Sequence, residues 1–248
     1  MAADPTLSRP LEGKVILISG ASRGIGYASA LALAKAGAHI IALARTQGGL
    51  EDLDDEIKAV GGETTLVPTD LKQLDTLDQL AAIIHERWGR LDGLFANAGV
   101  LGEITPAQQV TPKTFDEVFA VNMTANYRLI RALDPLLRAA PAGRALFMTS
   151  GVAQSHRAYW SAYAASKAAL EAYVSCWAKE IDITNVRVNL LNPGAVRTAM
   201  RAKAMPGEDG STLPSPRDVA PLVVEMLSPN YTKNDQIVSY RDTHYFTS

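Results

Sequence analysis

Two side chains that can move a proton stand four residues apart in an alanine-rich stretch of the chain. Tyr163 and Lys167 frame the segment Tyr-Ala-Ala-Ser-Lys, and residues four apart lie on one face of a helix. A phenol with a pKa of about 10 is a poor base near neutrality, but a neighbouring ammonium favours the phenolate and lowers that pKa. Tyr163 is therefore a candidate to give a proton to a carbonyl oxygen or to remove one from an alcohol.

Two more polar residues could complete a reacting group. Ser150 ends a predicted strand and can donate a hydrogen bond to the same oxygen as negative charge develops on it. Asn122 lies in a predicted long helix and could anchor a water that leads to Lys167. Each residue alone has an ordinary structural explanation, since a Tyr–Lys pair on a helix usually packs and a serine that ends a strand usually forms a turn. The prediction therefore depends on their combination with a cofactor site.

A glycine-rich turn separates the first predicted strand from the first predicted helix. Residues 19–26 are Ser-Gly-Ala-Ser-Arg-Gly-Ile-Gly. In a dinucleotide-binding turn, glycines let the backbone approach a pyrophosphate and let the helix pack on the sheet, while the helix N-terminus offers N–H groups and a positive dipole. A glycine cluster alone is as often a simple turn, but the flanking strand and helix favour a dinucleotide site. Its predicted cofactor contacts are Gly20, Ser22, Arg23, Gly24, Ile25 and Gly26.

The residues after the second predicted strand indicate which dinucleotide binds. An NAD site usually has an acidic side chain here, which holds the ribose hydroxyls. This chain has Ala44 followed by Arg45, and Arg23 stands in the glycine turn. Two guanidiniums that face a 2′-phosphate would make charge-assisted contacts; the alternative is two solvated surface arginines. The sequence predicts NADP(H) as the cofactor.

Two further segments follow predicted strands at the same edge of the sheet. The carboxylate of Asp70, followed by Leu71, could accept a hydrogen bond from the adenine amino group, with helix N-capping as the open alternative. Asn97, followed by Ala98 and Gly99, could bridge backbone groups while the glycine lets the ribose approach, with a simple turn as the alternative. We predict cofactor contacts at all five residues.

Strand and helix patterns alternate along the chain. Seven apolar or β-branched runs are predicted as strands: residues 15–18, 39–43, 64–67, 91–96, 145–149, 186–191 and 236–239. The predicted helices are residues 27–36, 50–60, 74–88, 115–137, 159–181 and 216–227. Repeated strand–helix units imply parallel strands with right-handed crossovers, and continuous apolar strands imply a sheet covered on both faces. We predict a single α/β domain over residues 1–248, a doubly wound parallel sheet of seven strands flanked by helices, with residues 1–12 as an N-terminal extension.

Composition and charge argue against several classes of protein. The 24 Lys and Arg residues nearly balance 26 Asp and Glu residues without a long run of one sign, so we expect no nucleic-acid partner. A single cysteine and four widely separated histidines give no disulfide or metal-binding pattern. Residues 1–10 lack the apolar run of a signal peptide, and no stretch of about 20 apolar residues occurs. We expect a cytoplasmic protein with no metal and no membrane partner.

Together, these motifs resemble the short-chain dehydrogenase/reductase family in its compact single-domain branch, over residues 14–238. The family pattern T-G-x-x-x-G-x-G is matched by residues 19–26 with Ser19 in place of threonine, and N-N-A-G by residues 96–99 with Ala96 in place of the first asparagine. The Y-x-x-x-K pattern is matched by Tyr163 and Lys167, with the family's serine thirteen positions before the tyrosine. A Pro-Gly turn and the family's nicotinamide-contacting threonine also match, which implies cofactor contacts at Pro193, Gly194, Val196 and Thr198.

The resemblance implies a Rossmann-type fold and an oxidoreductase in which a hydride moves between nicotinamide C4 of NADP(H) and a carbonyl carbon. It implies catalytic roles for Ser150, Tyr163, Lys167 and Asn122. Relatives pair subunits through long helices, so we expect a homo-oligomer, either a dimer or a tetramer. Residues 235–236 and 241–242 are Asp-Gln and Arg-Asp, where the family usually has Gly-Gln and Gly-Gly in a region that helps to build tetramers. The choice between dimer and tetramer therefore stays open.

The substrate is predicted as a small-molecule carbonyl compound or alcohol with a hydrophobic body. The side chains that could line its pocket come from loops after strand ends and are mostly apolar: Leu101, Val152, His156, Trp160, Ala195, Met200 and Met205. Residues 201–214 contain two glycines and two prolines and are a candidate mobile lid. Two other functions are considered: a nucleotide-binding regulator without turnover, and a nucleotide-sugar epimerase or dehydratase, which would normally need a longer C-terminal domain.

Overall fold

Seven strands form one sheet in the computed structural model, which describes residues 9–246. Their bounds are β1 (Val15–Ser19), β2 (His39–Ala44), β3 (Glu63–Pro68), β4 (Gly93–Ala96), β5 (Arg144–Met148), β6 (Arg187–Asn192) and β7 (Gln236–Ser239). Every neighbouring pair is parallel, and the order across the sheet is β3-β2-β1-β4-β5-β6-β7. The predicted seven-stranded parallel sheet is confirmed.

Helices cover both faces of this sheet. Their bounds are α1 (Gly24–Lys35), α2 (Gln47–Ala59), α3 (Leu74–Trp88), α4 (Pro112–Phe119), α5 (Ala125–Ala139), α6 (Val152–Ser155), α7 (Ser161–Glu180), α8 (Ala199–Ala204) and α9 (Pro216–Leu227). Helices α3, α5 and α7 pack into a core on one face, and α1, α2 and α9 pack into a second core on the other. No helix in this part of the chain is long and apolar enough to cross a bilayer.

The alternation of side chains along β1 explains why its sequence is a continuous apolar run. Val15 and Leu17 point into the core beside α3, α5 and α7, whereas Ile16 and Ile18 point into the core beside α1, α2 and α9. Successive strand residues face opposite sides of a sheet, so a strand buried on both faces needs apolar residues at every position. Burial of each such side chain contributes about 1.5–3 kcal/mol to folding.

The sheet reverses its strand order at β1, and this reversal locates the functional edge. Strand β1 pairs with β2 on one side and with β4 on the other, and Ser19 is level with both Leu43 and Ala96. The connections leave β1 and β4 toward opposite faces, which opens a crevice at their carboxyl ends. Ligands of open parallel sheets bind in such crevices.

The predicted helix of residues 115–137 is three segments in the structure. Helix α4 ends at Phe119, a π-helical turn follows at Ala120–Thr124, and α5 begins at Ala125. A π-helical turn widens the helix by one residue over one turn. The spacing of apolar residues on either side hardly changes, so the sequence pattern gave one long helix.

The structure also corrects the start of another helix and adds two short ones. The helix predicted for residues 159–181 begins at Ser161, because Tyr159 has a left-handed backbone with φ of 74°. The four residues of α6 and the six residues of α8 were not predicted. Helices this short show no periodicity that a sequence pattern could detect.

Part of the predicted N-terminal extension belongs to the packed fold. Residues 1–8 of that extension lie outside the described residues. Leu11 is completely buried in the core beside α1, and its N–H donates to the carbonyl oxygen of Ala36 at 2.9 Å. Residues 9–12 are therefore attached to the start of the sheet.

A buried carboxylate organises the amino end of the sheet, opposite the crevice. Asp92 is 3% exposed and accepts hydrogen bonds from the N–H of Val15, from Lys14 Nζ and from Arg90 Nε, each at 3.1 Å. We expect Asp92→Ala to lower the free energy of unfolding by about 2–4 kcal/mol, since three donors lose their acceptor. Lys14→Ala should have a smaller effect, because that side chain is already partly hydrated. Urea denaturation of both variants measures this, and equal losses would contradict it.

Candidate active site

The turn after β1 requires glycine at two positions for steric reasons. Gly20 has a left-handed backbone with φ of +71°, and a Cβ atom there would lie 2.9 Å from the Cα atom of Ala98. A Cβ atom on Gly26 would lie 2.2 Å from the carbonyl oxygen of Gly20. A larger residue at either position would push α1 or the β4 loop away, so a turn this tight needs glycine at both.

Hydrogen bonds from the neighbouring strand ends fix the glycine turn. The N–H of Gly20 donates to the carbonyl oxygen of Leu43 in β2 at 2.8 Å. From the other side, Asn97 Nδ2 donates to the carbonyl oxygens of Ser19 and Gly20 at 3.1 and 3.3 Å. The Ser19 hydroxyl accepts from the N–H of Ala98 at 3.1 Å, so serine keeps a contact at the position where the family pattern has threonine. Asn97 makes the backbone bridges that its position predicts.

The N-terminus of α1 opens onto the crevice. The N-cap residue Arg23 is extended, its side chain makes no capping hydrogen bond, and the first turn holds no acidic residue. A Cβ atom on Gly24 would meet, among the described residues, the methyl group of Thr198 at 3.7 Å and nothing closer. Ser22 and Ile25 flank this opening and are half-buried. Backbone N–H groups beside an open space of this kind fit a pyrophosphate.

Two arginines lie at the solvent edge of the same crevice. Arg23 and Arg45 are exposed, while Ala44 is 6% exposed and packs in the core. The hydrogen bond between Gly20 and Leu43 holds their two segments together. Within residues 9–246, neither guanidinium forms an ion pair. Two positive charges without a carboxylate partner fit the 2′-phosphate of NADP(H).

Asp70 closes a turn after β3 and does not cap a helix. Its Oδ1 accepts from the N–H of Lys72 at 3.0 Å, whereas the N-cap of α3 is Gln73. The helix-capping alternative for Asp70 is therefore wrong. Leu71 is 7% exposed and packs into the core beside α3, so any contact that it makes with a ligand would use its backbone.

Asn192, which sequence reasoning missed, joins two loops of the site. Its Oδ1 accepts from the N–H of Gly194 and from the N–H of Gly151, both at 3.1 Å. Gly194 belongs to the predicted cofactor turn and has φ of +69°, while Gly151 directly follows Ser150. The signal that could have found Asn192 is its place as the polar last residue of β6, directly before the predicted Pro-Gly turn.

The segment that follows the Pro193-Gly194 turn is buried near its start. Further along, an ion pair lies within the predicted lid. Pro193 is half-buried, and Val196 is 3% exposed and packs in the core beside α9. Thr198 Oγ1 accepts from the N–H of Arg201 at 3.1 Å and thus caps α8. Arg201 donates to both carboxylate oxygens of Glu208 at 2.6 Å, so a bidentate contact joins α8 to the loop after it.

The predicted reacting residues come together where β5 ends against α7. Lys167 Nζ donates to the carbonyl oxygen of Met148 at 2.8 Å and lies 5.9 Å from the centroid of the Tyr163 ring. The Ser150 hydroxyl lies close enough to Tyr163 to oppose the rise in the pKa of its phenol. Tyr163 is 9% exposed and Lys167 is 2% exposed. A phenol, an ammonium and a second hydroxyl therefore share one largely dry site.

Burial shifts the pKa values of Tyr163 and Lys167 in opposite directions. It raises the pKa of Tyr163 to about 12, against the opposing effect of the Ser150 hydroxyl. It lowers the pKa of Lys167 to about 8, against the opposing effect of the Glu171 carboxylate. The lowered phenol pKa expected from the sequence is not found in this structure, because desolvation of the phenolate outweighs the favourable contact. With this raised pKa, Tyr163 carries its proton near neutral pH.

Asn122 sits in the π-helical turn and fixes the loop beside Lys167. Its Nδ2 donates to the carbonyl oxygen of Val100 and to Ser166 Oγ, both at 3.0 Å, and its Oδ1 accepts from the N–H of Val100 at 2.8 Å. A Cβ atom on Gly99 would lie 3.4 Å from Oδ1 of Asn122 and 3.6 Å from Lys167 Nζ. Both amide protons have protein acceptors, so Asn122 acts on the site chiefly by holding the β4 loop.

Apolar side chains surround the reacting residues on the substrate side. Leu101, Trp160 and Tyr163 form a buried cluster, against which three partly buried residues pack: Val152, Ala204 and Met205. The Trp160 ring meets the Tyr163 ring edge-on at 6.1 Å. This brings together four of the seven predicted pocket residues. The other three lie outside the cluster, with Ala195 half-buried and His156 and Met200 exposed.

Comparison with known proteins agrees with this geometry. The profile of the family described as short chain dehydrogenase matches residues 14–209. The protein named uncharacterized oxidoreductase YciK, from Escherichia coli K12, is 39% identical over 220 residues, which cover 88% of this chain and 87% of that protein.

Two solved structures extend the match to three dimensions. A chain from Shigella flexneri 2a strain 301, described as a short chain dehydrogenase complexed with NADP, superposes with a TM-score of 0.88 at 36% identity, covering 94% of this chain and 98% of its own. A chain from Escherichia coli CFT073, described as a short chain dehydrogenase complexed with NADPH, gives a TM-score of 0.88 at 36% identity with the same two coverages. This protein belongs to the short-chain dehydrogenase/reductase family.

Proposed function

We propose that this protein is an NADP(H)-dependent oxidoreductase that interconverts a carbonyl compound and an alcohol, with Tyr163 as the general acid and base. The observation that carries the proposal is that Tyr163 and Ser150 lie together beside the buried ammonium of Lys167. We treat residues 1–248 as one NADP(H)-binding domain. A nucleotide-binding regulator would need the glycine turn but would have no use for this buried group of three.

The cofactor is NADP(H). The turn formed by Gly20 and Gly26 leaves room for a pyrophosphate at the start of α1. Arg23 and Arg45 offer charge to a 2′-phosphate, and two relatives of the same fold bind NADP and NADPH. We assign the remaining cofactor contacts as the sequence predicts: Ser22, Gly24, Ile25, Asp70, Leu71, Asn97, Ala98, Gly99, Pro193, Gly194, Val196 and Thr198.

In the reducing direction, the substrate oxygen accepts hydrogen bonds from Tyr163 and Ser150. Bound NADPH supplies a hydride from its nicotinamide C4 to the carbonyl carbon. As charge develops on the oxygen, Tyr163 transfers its proton to it and the Ser150 hydroxyl stabilises the remaining charge. The ammonium of Lys167 stabilises the phenolate that forms. Alcohol oxidation uses the same groups in reverse.

The pocket favours a substrate with an apolar body. Leu101 and Trp160 are buried beside the reacting phenol, and Val152 and Met205 pack against them. A hydrocarbon or aromatic group on the substrate would displace water from these surfaces, at about 25 cal/mol for each Å² buried. We propose a small hydrophobic ketone, aldehyde or corresponding alcohol as the substrate class.

We also propose that subunits associate through α5 and α7. Tyr173 on α7 is 37% exposed and meets Tyr127 of α5 edge-on at 5.9 Å. Ile130 and Cys176 line a shallow groove at the same surface. Exposed aromatic side chains are enriched where protein surfaces associate. The number of subunits and a cytoplasmic location stay predictions.

Removal of the reacting hydroxyl should abolish chemistry but not cofactor binding. We expect Tyr163→Phe to reduce the turnover of an active carbonyl substrate by about 100-fold or more, because the proton donor is lost. NADPH fluorescence should report nearly unchanged cofactor affinity. Tyr231→Phe, the same change at a half-buried tyrosine after α9, is the matched control and should keep full activity. A Tyr163→Phe enzyme with near-normal turnover would remove Tyr163 from the mechanism.

The charge of Lys167 should set the alkaline limit of carbonyl reduction. Its pKa of about 8 means that the ammonium is present below that pH and lost above it, so the rate should fall as pH rises through about 8. We expect Lys167→Met to have a low rate whose alkaline limb lies at higher pH, where Tyr163 itself loses its proton. The measurement is kcat against pH for both enzymes. Superimposable profiles would exclude this role.

Cofactor preference should depend on the arginines at the crevice edge. We expect the wild type to favour NADPH over NADH by roughly 10- to 1,000-fold in kcat/KM, at about 1.4 kcal/mol for each factor of ten. Because Arg45 is exposed, solvent screening keeps its contribution to this preference near the lower end of that range. Arg45→Ala should raise the KM for NADPH about 10-fold and leave NADH use unchanged, because this side chain would touch the phosphate and not the nicotinamide.

A repulsive variant and a matched control sharpen this experiment. Ala44→Asp should favour NADH through repulsion of the 2′-phosphate and new ribose contacts, although burial of Ala44 makes some loss of stability expected. Arg87→Ala removes an exposed arginine near the end of α3, on the opposite edge of the sheet, and should change neither KM. A wild type that prefers NADH would show that Arg23 and Arg45 are ordinary surface residues.

A further inference from the structure

Helix α7 presents three polar side chains to the end of β5 at intervals of four residues. Tyr163 lies near Ser150, whose hydroxyl opposes the rise in its pKa, and Lys167 donates to the carbonyl oxygen of Met148 at 2.8 Å. Glu171 accepts a hydrogen bond from Thr149, the residue between those two. Residues four apart lie on one helical face, so a single stripe of α7 contacts three successive residues of β5 and its loop.

Glu171 also reaches the short helix that follows Ser150. Its second carboxylate oxygen accepts from Gln154 Nε2 at 2.6 Å. Thr149 is 1% exposed, and its N–H is held by the carbonyl oxygen of Leu191 at 2.9 Å. One carboxylate therefore connects both sides of the loop that carries Ser150 to the helix that carries Tyr163 and Lys167.

We propose that Glu171 is a positioning residue for carbonyl reduction, which holds the Ser150 loop against α7 and places a negative charge one helical turn from Lys167. The inference rests on the proposed function and adds to it a residue outside the reacting group. Its two effects act through different neighbours. The hydrogen bonds to Thr149 and Gln154 fix the geometry, whereas the charge supports the ammonium.

Few other charges act on this ammonium. Around Lys167, β5 contributes the backbone carbonyl of Met148, the π-helical turn contributes the neutral amide of Asn122, and α7 contributes Tyr163 and Glu171. Among the described residues, Glu171 is the one whose charge raises the pKa of Lys167 against the lowering effect of burial. Helix α6, on the other side of Glu171, contributes the uncharged Gln154.

The two effects can be separated by substitution. Glu171→Gln keeps the size of the side chain and an acceptor oxygen but removes the charge. Thr149→Val removes one hydrogen bond to Glu171 and leaves the charge in place. Glu86→Gln neutralises an exposed carboxylate on α3, outside the proposed subunit surface, and is the matched control. Thermal unfolding and NADPH fluorescence check that each variant folds and binds cofactor.

We expect a different pH signature from each variant. In Glu171→Gln, the alkaline limb of kcat for reduction should move to lower pH by about 0.5–1 unit, since the ammonium loses a supporting charge. Thr149→Val should lower kcat severalfold at every pH without moving the alkaline limb, and Glu86→Gln should match the wild type. A Glu171→Gln profile that superimposes on the wild-type profile would overturn the charge effect. A Thr149→Val enzyme with wild-type kcat would overturn the positioning effect.

A direct titration of Lys167 makes the test independent of turnover. Protein labelled with 13C-lysine gives a 13Cε signal for each lysine, and the Lys167 signal is the one lost in Lys167→Met. Its titration midpoint should be near pH 8 in the wild type and lower in Glu171→Gln. An unchanged midpoint would reject the charge effect of Glu171 even if the enzyme reduces carbonyl compounds. Absence of any NADPH oxidation, with a shifted midpoint, would instead reject the proposed function and retain the charge effect of Glu171.

Discussion

A buried ammonium group is the constraint on which the active site depends. Lys167 is 2% exposed, and a charge in such a place is stable only when polar groups replace the lost water. The structure supplies the Met148 carbonyl at 2.8 Å, the ring of Tyr163 and the charge of Glu171. These groups lie on two elements, β5 and α7. The charge of Lys167 is therefore supported only when α7 packs correctly against β5.

The same burial fits the acid role that is proposed for Tyr163. Desolvation raises the pKa of its phenol to about 12 and lowers the pKa of the Lys167 ammonium to about 8. Each charge alone is disfavoured, but a phenolate and an ammonium that exist together attract strongly in a low-dielectric site. In the proposed reaction, the proton therefore stays on Tyr163 until hydride transfer creates a basic oxygen beside it.

Local features of the sequence predicted much of this arrangement. The apolar run 15–18 identified β1, because a strand buried on both faces is apolar at every position, and the glycine spacing located the turn after it. The pairing of Tyr163 with Lys167 followed from helical periodicity alone. The π-helical turn at Ala120–Thr124 could not be predicted, because one extra residue in a turn leaves the surrounding periodicity intact. The direction of the pKa shift of Tyr163 could not be predicted either, because it depends on burial, which arises from packing between distant segments.

The two ends of the proposed cofactor site differ in dielectric environment, and each end therefore suits a different role. Arg23 and Arg45 are exposed at the phosphate end, where solvent screening limits each contact to a modest contribution. Lys167 and Tyr163 are buried at the reacting end, where charges interact several times more strongly at the same separation. The exposed end can therefore select between two cofactors without holding either too tightly. The buried end can stabilise a charge that exists only during the reaction, and catalysis requires this kind of selective stabilisation.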